Sequence, residues 1–552
     1  MVIDKVGTGG RIGHAIGVAG SGKTILLKPL VRAWQDDGRT VHGIALAWRQ
    51  SDDLAEAGIK GRTRAVMSFL TAVERGRLAL DAQSVVVLDE VGLLGTRQLN
   101  DVLALQKRTR FQLVMLGDPK QMQSVEAGPV IALLRQGLGA DAVPELGSSV
   151  RQKGAAERET TLMFRNGQTA EAMQRKAANG TFQAVPGGYR EAIERVATLW
   201  QERREANRDR PGFTVTVSAP TNAEAHDISV AIRARRRAAG EVGEDKTTVA
   251  ASDGQGERSY NLAVAEGDRV RLFDKVNAAF TNGTHGNIGR NGSVLNVVKI
   301  QDDGLMLQNL NGKQGFVPWG RLQDEAGRFR LAYGEALTTH TAQGSTVTEH
   351  IHTMPSGSRL VTAFGAYTSG SRHREQSFIV TSDGAERAEI AGRRPLGDRR
   401  AITPSDMVAN VTRNFSRQDE KESAVSMLER AANVRRGTIQ AVQSSLQPME
   451  ARTAAEEQMT SLPQRLERRR IRRALESRLP GLAERLRRHG ESVAHLARAA
   501  VAVAERLAAI ARAKRAERQS ERDYWQEVAE RASKATEQAQ SQSQTRRSAR
   551  RR

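Results

Sequence analysis

The chain has 552 residues, with 84 Lys and Arg against 63 Asp and Glu for a net charge of +21, and no cysteine. That length exceeds one ordinary hydrophobic core and predicts two to four domains, while the missing cysteine excludes disulfides, thiolate catalysis and zinc fingers. The basic excess favours a polyanionic partner such as nucleic acid; with no run of ~18 apolar residues and no export-signal layout in Met1-Val2-Ile3-Asp4-Lys5, a cytoplasmic protein is expected.

Residues 1–148 alternate short apolar runs with helical stretches. Positions 14–18, 41–47, 85–88 and 111–116 read as buried strands, and 23–35 and 96–106 as helices. That alternation predicts an α/β fold on a parallel sheet covered on both faces. Positions 170–177 and 190–204 read as helices and 213–218 as a strand, so a second α/β unit is expected over 149–252. From 253 to 330 short strands alternate with Gly, Asn and Asp turns, as at 267–273, 292–300 and 304–310, which predicts a small β barrel or sandwich. The α/β texture returns over 331–402, so the β segment is expected to be an insertion within the second unit. Residues 403–537 are charged and helix-forming, and Val493, Leu496, Ala500, Val503, Leu507 and Ile510 step by three and four as in a coiled coil. Residues 538–552 are mostly Gln, Ser and Arg and are expected to be disordered. Residues 461–552 hold 24 Arg and Lys against 11 Asp and Glu, so most of the basic excess sits in this tail.

Gly17-Val18-Ala19-Gly20-Ser21-Gly22-Lys23-Thr24 follows a predicted strand and opens a predicted helix, the setting of a phosphate-binding loop. Gly17, Gly20, Ser21 and Gly22 let backbone N–H groups wrap phosphate, Lys23 meets the β- and γ-phosphates, and Thr24 supplies a hydroxyl for magnesium. A second predicted strand delivers Asp89 and Glu90 to the ligand-facing end of the same sheet. There Asp89 would hold the metal and Glu90 would orient and deprotonate water. A third strand ends in Gly117-Asp118-Pro119-Lys120-Gln121. His340, His350 and His352 are the histidine group to weigh for a metal; the last two alternate on a predicted strand, which favours a structural role.

For nucleic acid, Trp48 and Arg49 pair a stacking ring with a phosphate-seeking charge, although a buried packing role for Trp48 is equally open. Thr221 and Asn222 could donate to a phosphate; a helix cap is the simpler reading.

Together these motifs resemble RecD-like DNA helicases of superfamily 1B, in particular the helicase portion of plasmid conjugative relaxases, over residues 13–385. The resemblance implies two RecA-like parallel-sheet motor domains, one at 1–148 and one at 149–252 continued by 331–402. It further implies an SH3-like insertion at 253–330, and the sequence adds the helical, partly disordered tail. The implied activity is ATP hydrolysis with Mg2+, driving 5′ to 3′ movement on single-stranded DNA. Gln121 would sense the γ-phosphate, and Arg151 would reach the nucleotide from the second motor domain. Arg372, in Ser371-Arg372-His373-Arg374-Glu375, would be the arginine finger. Leu337-Thr338-Thr339-His340-Thr341-Ala342-Gln343-Gly344-Ser345-Thr346 looks like the element that links nucleotide state to DNA grip, which makes Thr339, His340 and Gln343 candidate DNA contacts. Conjugation or relaxosome proteins would dock on the helical tail. The relaxases' nicking domain, with its tyrosine nucleophile and histidine cluster, is not expected in this chain: the phosphate loop begins at Gly17 and the five tyrosines are scattered. Two alternatives are a noncatalytic DNA-binding fragment of a conjugation protein and an ATPase switch that does not unwind.

Overall fold

The computed structural model describes residues 10–46, 48–253 and 259–423, together with Ser426, Met427 and Arg430. The predicted coiled-coil seam at 493–510 and the basic segment 538–552 lie outside the described residues. No helix among the described residues is long and apolar enough to cross a membrane.

The first part of the chain runs β1 (Ile12–Gly17), α1 (Lys23–Asp36), β2 (Thr40–Ala45), α2 (Trp48–Asp53), β3 (Thr63–Ala65), α3 (Val66–Glu74), β4 (Ser84–Asp89), α4 (Thr96–Thr109), β5 (Gln112–Gly117), α5 (Val130–Leu138) and β6 (Glu145–Leu146). Its six strands form one parallel sheet in the order β3-β2-β4-β5-β1-β6. Every residue of β4 and β5 is buried. Only strands covered on both faces can carry runs such as Val85-Val86-Val87-Leu88, and burying each such side chain contributes about 1.5–3 kcal/mol. Phe69, Val102 and Phe111 cover one face; Leu27, Leu30, Val31 and Trp34 of α1 cover the other. Because β5 lies between β4 and β1, Gly17, Asp89 and Gly117 finish side by side at one edge. That edge, beyond the carboxyl ends of the strands, is where open parallel sheets bind ligands. The α4 helix starts sharply because the Gln98 side chain accepts from the Gly95 N–H at 3.2 Å.

Next come α6 (Ala155–Asn166), α7 (Thr169–Ala178), β7 (Phe182–Val185), α8 (Tyr189–Ala206), β8 (Val215–Ala219) and α9 (Asn222–Ala238). Nine antiparallel strands follow: β9 (Asp245–Ser252), β10 (Ser259–Ala265), β11 (Arg269–Leu272), β12 (Val276–Phe280), β13 (His285–Gly289), β14 (Val294–Gln301), β15 (Gly304–Gln308), β16 (Gln314–Pro318) and β17 (Leu331–Tyr333). The chain then enters β18 (Ala336–Thr338), α10 (Thr339–Ala342), β19 (Val347–Met354), α11 (Ala363–Gly370), β20 (His373–Ser382), α12 (Asp383–Arg393) and α13 (Pro404–Phe415). Strands β18-β8-β19-β20-β7 form a second parallel sheet. The antiparallel strands therefore leave this sheet after α9 and rejoin it at β18. Seven of them form one sheet in the order β13-β12-β16-β15-β14-β11-β17, and β9 and β10 pair as a ribbon.

The antiparallel region is wider than the expected 253–330. β9 pairs with β10 from Asp245, and its Val249 and Ala251 share a core with Leu262, Leu295 and Leu307. At the other end, β17 pairs with β11 rather than with the parallel sheet. A bidentate ion pair orients this region on α9: Arg233 Nε donates to Asp268 Oδ1 at 2.6 Å and its Nη2 to Oδ2 at 2.9 Å.

The segment from 403, expected to start a helical tail, begins with a helix that packs on the second sheet. α13 is capped by Thr403, whose hydroxyl accepts from the Asp406 N–H at 3.2 Å. It buries Val411 and Phe415 against Phe164, Met173 and Tyr367, so it belongs to the second sheet's core. After α13 the chain crosses to the first sheet. The Arg417 carbonyl accepts from the Ala363 N–H at 2.9 Å. Lys421 Nζ donates to the carbonyls of Ser124, Val125 and Glu126. Lys120 Nζ lies 3.3 Å from Glu420 Oε1.

Candidate nucleotide hydrolysis site

The loop from Gly17 to Thr24 joins the buried end of β1 to the first turn of α1. Gly20 and Gly22 have φ of 74° and 79°, the left-handed region that only glycine enters without strain. Gly20 also has no room for a side chain, since a Cβ there would stand 2.4 Å from Arg151 Cβ. The Val150 N–H donates to the Gly20 carbonyl at 2.8 Å. The segment entering the second sheet's half of the chain thus lies directly on the phosphate loop.

At the end of β4, Glu90 adopts φ 50°. For a non-glycine residue this is a strained conformation, of order 1–3 kcal/mol, and the Glu90 N–H bond to Asp89 Oδ1 at 2.8 Å helps hold it. The turn aims Glu90 at Lys23: Nζ and Oε1 are 3.3 Å apart, both side chains largely buried. Burial opposes both charges, but Glu90, Asp89 and Asp118 raise the Lys23 ammonium above its ordinary value. Burial likewise opposes ionisation of Glu90, yet Lys23, Arg372 and the Gln343 hydrogen bond hold its carboxyl below the usual range. Asp89 goes the other way: burial pushes it up to about 6, with the Glu90 charge adding to the effect and Lys23 opposing it. Two adjacent carboxylates are thereby split, one firmly ionised and one ready to take up a cation or a proton.

The second sheet completes the cluster. Gln343, just after α10, is buried and donates from Nε2 to Glu90 Oε2 at 3.2 Å and to Gln121 Oε1 at 3.1 Å. Its own Oε1 is buried without a partner. Arg151 Nη1 donates to the Ser371 carbonyl at 2.7 Å. Arg372 is 1% exposed; its Nε donates to the Thr368 carbonyl at 2.7 Å and Nη2 to Ser371 Oγ at 2.8 Å. Burial and the neighbouring Arg372 charge lower Arg151, and Arg372 also acts on Glu90. Lys23, Asp89, Glu90, Gln121, Arg151 and Arg372 are therefore brought to one place. Gln343, read from sequence as a DNA contact, faces the carboxylate edge instead, because α10 is a single turn and the residue after it points back across the seam. Arg374 is exposed and, with Thr24, Arg151, Arg269, Arg290 and Gly344, lines an adjoining cleft of about 1160 Å³.

The candidate DNA contacts scatter. The Thr221 hydroxyl accepts from the Glu224 N–H at 3.2 Å and the Glu224 carboxylate accepts from the Thr221 N–H at 3.2 Å, a reciprocal cap on α9. The Thr339 hydroxyl is buried and donates to the Ala219 carbonyl at 3.4 Å. His340 is exposed. Asn222 Oδ1 lies 3.5 Å from Arg271 Nη1, and Arg271 Nη2 donates to the Thr341 hydroxyl at 3.0 Å. Arg271 joins the antiparallel region to the first residue of α9 and to α10; its alternating strand reads as ordinary β structure, which is why sequence reasoning passed over it. The side chains of Trp48 and Arg49 lie outside the described residues.

The histidines are structural in geometry. His350 Nε2 and His352 Nδ1 both approach Ser218 Oγ, at 2.9 and 3.2 Å, inside the second sheet, whereas His340 is exposed. Among the described residues no group of three or more His, Cys, Asp or Glu could hold a metal. Thr24 and Asp89 are two oxygen donors, a set suited to a hard cation that keeps several waters or phosphate oxygens. The raised Asp89 carboxyl fits such a cation, which would relieve the charge that burial disfavours.

Residues 2–187 match the family model described as an AAA domain. The chain is 29% identical over 382 residues to the conjugal transfer protein TraA of Rhizobium radiobacter, a match covering 68% of this chain and 31% of that protein. It is 44% identical over 68 residues, 12% of each chain, to the RecBCD enzyme subunit RecD of Mycolicibacterium smegmatis. Among solved structures, the Pif1 helicase from Bacteroides in complex with ADP-AlF3 and ssDNA aligns with a TM-score of 0.42 and 16% identity, over 69% of this chain and 93% of that one. The chain thus spans 31% of the length of the Rhizobium relative.

Proposed function

We propose that this chain, which resembles the RecD-like helicases of superfamily 1B and among them the helicase portion of conjugative relaxases, is an ATP-dependent DNA helicase or translocase that moves 5′ to 3′ on single-stranded DNA. The observation that carries this reading is the meeting of Lys23, Glu90 and Gln121 from the first sheet with Gln343 and Arg372 from the second. A nucleotide switch confined to one sheet has no need of such a seam. A motor does, because hydrolysis must change how two halves grip their track.

In the proposed cycle, loop N–H groups and the Lys23 ammonium hold the β- and γ-phosphates. Glu90, kept ionised, orients and deprotonates the attacking water, with Gln121 and Gln343 fixing its carboxylate and the water's approach. Thr24 and Asp89 would hold magnesium, which when bound neutralises phosphate charge. Arg151 and Arg372 meet the charge that builds on the transferred group; such an arginine contributes about 10³–10⁵ in rate in nucleotide hydrolases. Asn222, Thr341 and Arg271 are proposed to carry motion to the strand, with the antiparallel region acting as an SH3-like DNA clamp and His340 as a further contact. The domain limits are proposed as motor halves at 10–148 and 149–244 with 334–416, the clamp at 245–333 being inserted within the second. The likeness to conjugal transfer proteins supports a role in plasmid conjugative transfer or DNA processing, with transfer proteins as partners of the basic tail.

The test compares the intact chain with Lys23→Ala on duplexes bearing a 5′ or a 3′ single-stranded tail. Strand separation from the 5′ tail, fuelled by ATP with Mg2+ and lost in Lys23→Ala, is expected. Hydrolysis without separation on either duplex would favour the switch, and no hydrolysis at all would favour a noncatalytic DNA-binding fragment.

A further inference from the structure

The helix α11 presses two consecutive residues of its last turn onto the first sheet's loops. Tyr367 is 1% exposed. Its hydroxyl accepts from the Ala19 N–H, inside the phosphate loop, at 2.8 Å, and donates to Asp118 Oδ2 at 2.8 Å. The next residue, Thr368, accepts at Oγ1 from the Met122 N–H at 2.9 Å, while its carbonyl accepts from Arg372 Nε. Asp118 is itself set by the Lys120 N–H at 3.1 Å and by Arg165 Nη2 at 3.5 Å.

A phenylalanine would fill the same apolar surroundings of Ala19, Phe164 and Ala366, so packing does not require the hydroxyl. What the hydroxyl adds is a bridge between two separate first-sheet elements, anchored on a helix of the second sheet. Burial and the Asp118 charge keep the phenol protonated, well above its ordinary value, so it serves as donor and acceptor at once. Any opening of the seam that moves α11 off the first sheet breaks both bonds together. The bridge is therefore made only when the sheets are closed.

We propose that Tyr367 is a positioning residue for the hydrolytic site: its hydroxyl sets the phosphate loop at Ala19 and the Gly117–Gln121 turn in register whenever the two sheets close on nucleotide. The inference rests on the hydrolytic reading above and names a residue that touches neither substrate nor the reacting atoms.

The test uses the full chain carrying Tyr367→Phe, beside wild type and Thr368→Val, with ATP hydrolysis measured at saturating oligo-dT. For Tyr367→Phe, kcat is expected to fall at least about tenfold, the scale on which small misplacements act. KM for ATP should stay close to wild type, and the kcat loss should persist at temperatures well below the variant's melting temperature. Thr368→Val, which removes a bond of the same turn without touching the phosphate loop, should retain most of kcat. Equal losses in both variants, or a Tyr367→Phe loss that tracks a lowered melting temperature and recovers on cooling, would reduce Tyr367 to a docking contact and overturn the inference. Wild-type turnover in Tyr367→Phe would overturn it while leaving the hydrolytic reading intact. An inactive wild type would remove both.

Discussion

Gln343 Nε2 lies 3.2 Å from Glu90 Oε2, joining a residue of the second parallel sheet to a carboxylate at the edge of the first. The same nitrogen reaches Gln121, so one amide fixes two of the groups that would arrange the attacking water.

Replacing that amide tests the seam. Gln343→Ala leaves Glu90 and Gln121 without their shared donor, and a loss of about 10²–10³-fold in DNA-stimulated kcat is expected, the scale of one positioned donor in a water-excluded site. Nucleotide affinity, read with a fluorescent ATP analogue, should change little. A fall in affinity with kcat preserved would place Gln343 among the binding groups instead.

Asp89 carries a pH signature. Its carboxyl is raised to about 6, so in the folded chain it takes up a proton more readily than when unfolded. The sign follows: in the nucleotide-free chain this group costs stability as pH rises from the ordinary aspartate range through about 6, and that cost stays at higher pH. Asp89→Asn should raise the melting temperature of the nucleotide-free chain at neutral pH while abolishing magnesium-dependent hydrolysis. A lowered melting temperature at pH 7.5 would contradict the assignment.

Glu157 on α6 is the opposite case. Burial opposes its charge, but the His373 hydrogen bond and the Lys176 charge hold it down to about 2, and Lys176 Nζ donates to both its oxygens at 3.0 and 2.9 Å. Its contribution to stability is full above the ordinary glutamate value and is lost as pH falls from there toward about 2. Glu157→Gln leaves the Lys176 ammonium, 1% exposed, bonded to Ser377 but without its carboxylate, and a loss of about 3–5 kcal/mol is expected in urea titrations at pH 7. Near pH 2 the variant and wild type should converge.

Thr221 separates cap from contact. As the cap of α9 its replacement by alanine should cost about 1 kcal/mol of stability, with affinity for oligo-dT unchanged within about twofold, since no phosphate contact is lost. A several-fold weaker DNA complex at unaltered stability would restore the sequence-based reading.

How much of this could be read beforehand depended on range. β4 was legible by its unbroken apolar run and acidic stop, which fit burial on both faces, and β1 by the glycine-rich loop that closes it. The three-residue β3 and the helix α3 were missed; the first is too short to show a period. The start of the antiparallel region at Asp245 was invisible because Asp-Lys-Thr-Thr reads as solvated loop until its partner β10 is known. α13 looked like the front of a charged tail because its buried face consists of Met407, Asn410, Val411, Asn414 and Phe415, two of them asparagines whose amide nitrogens donate to Ser358, Glu386 and Glu389. Lys23, Asp89 and Glu90 stood out by local motif, whereas the roles of Gln343 and Tyr367 depend on partners 222 to 348 residues away, a distance no periodicity spans.

The short crossing from Arg417 to Lys421 has a mechanical consequence. Its anchors sit on both sides of the seam, at Ala363 on one and at the carbonyls of Ser124, Val125 and Glu126 on the other. A pull applied at Lys421 would therefore load contacts on both halves at once, so this segment resists their separation from either side.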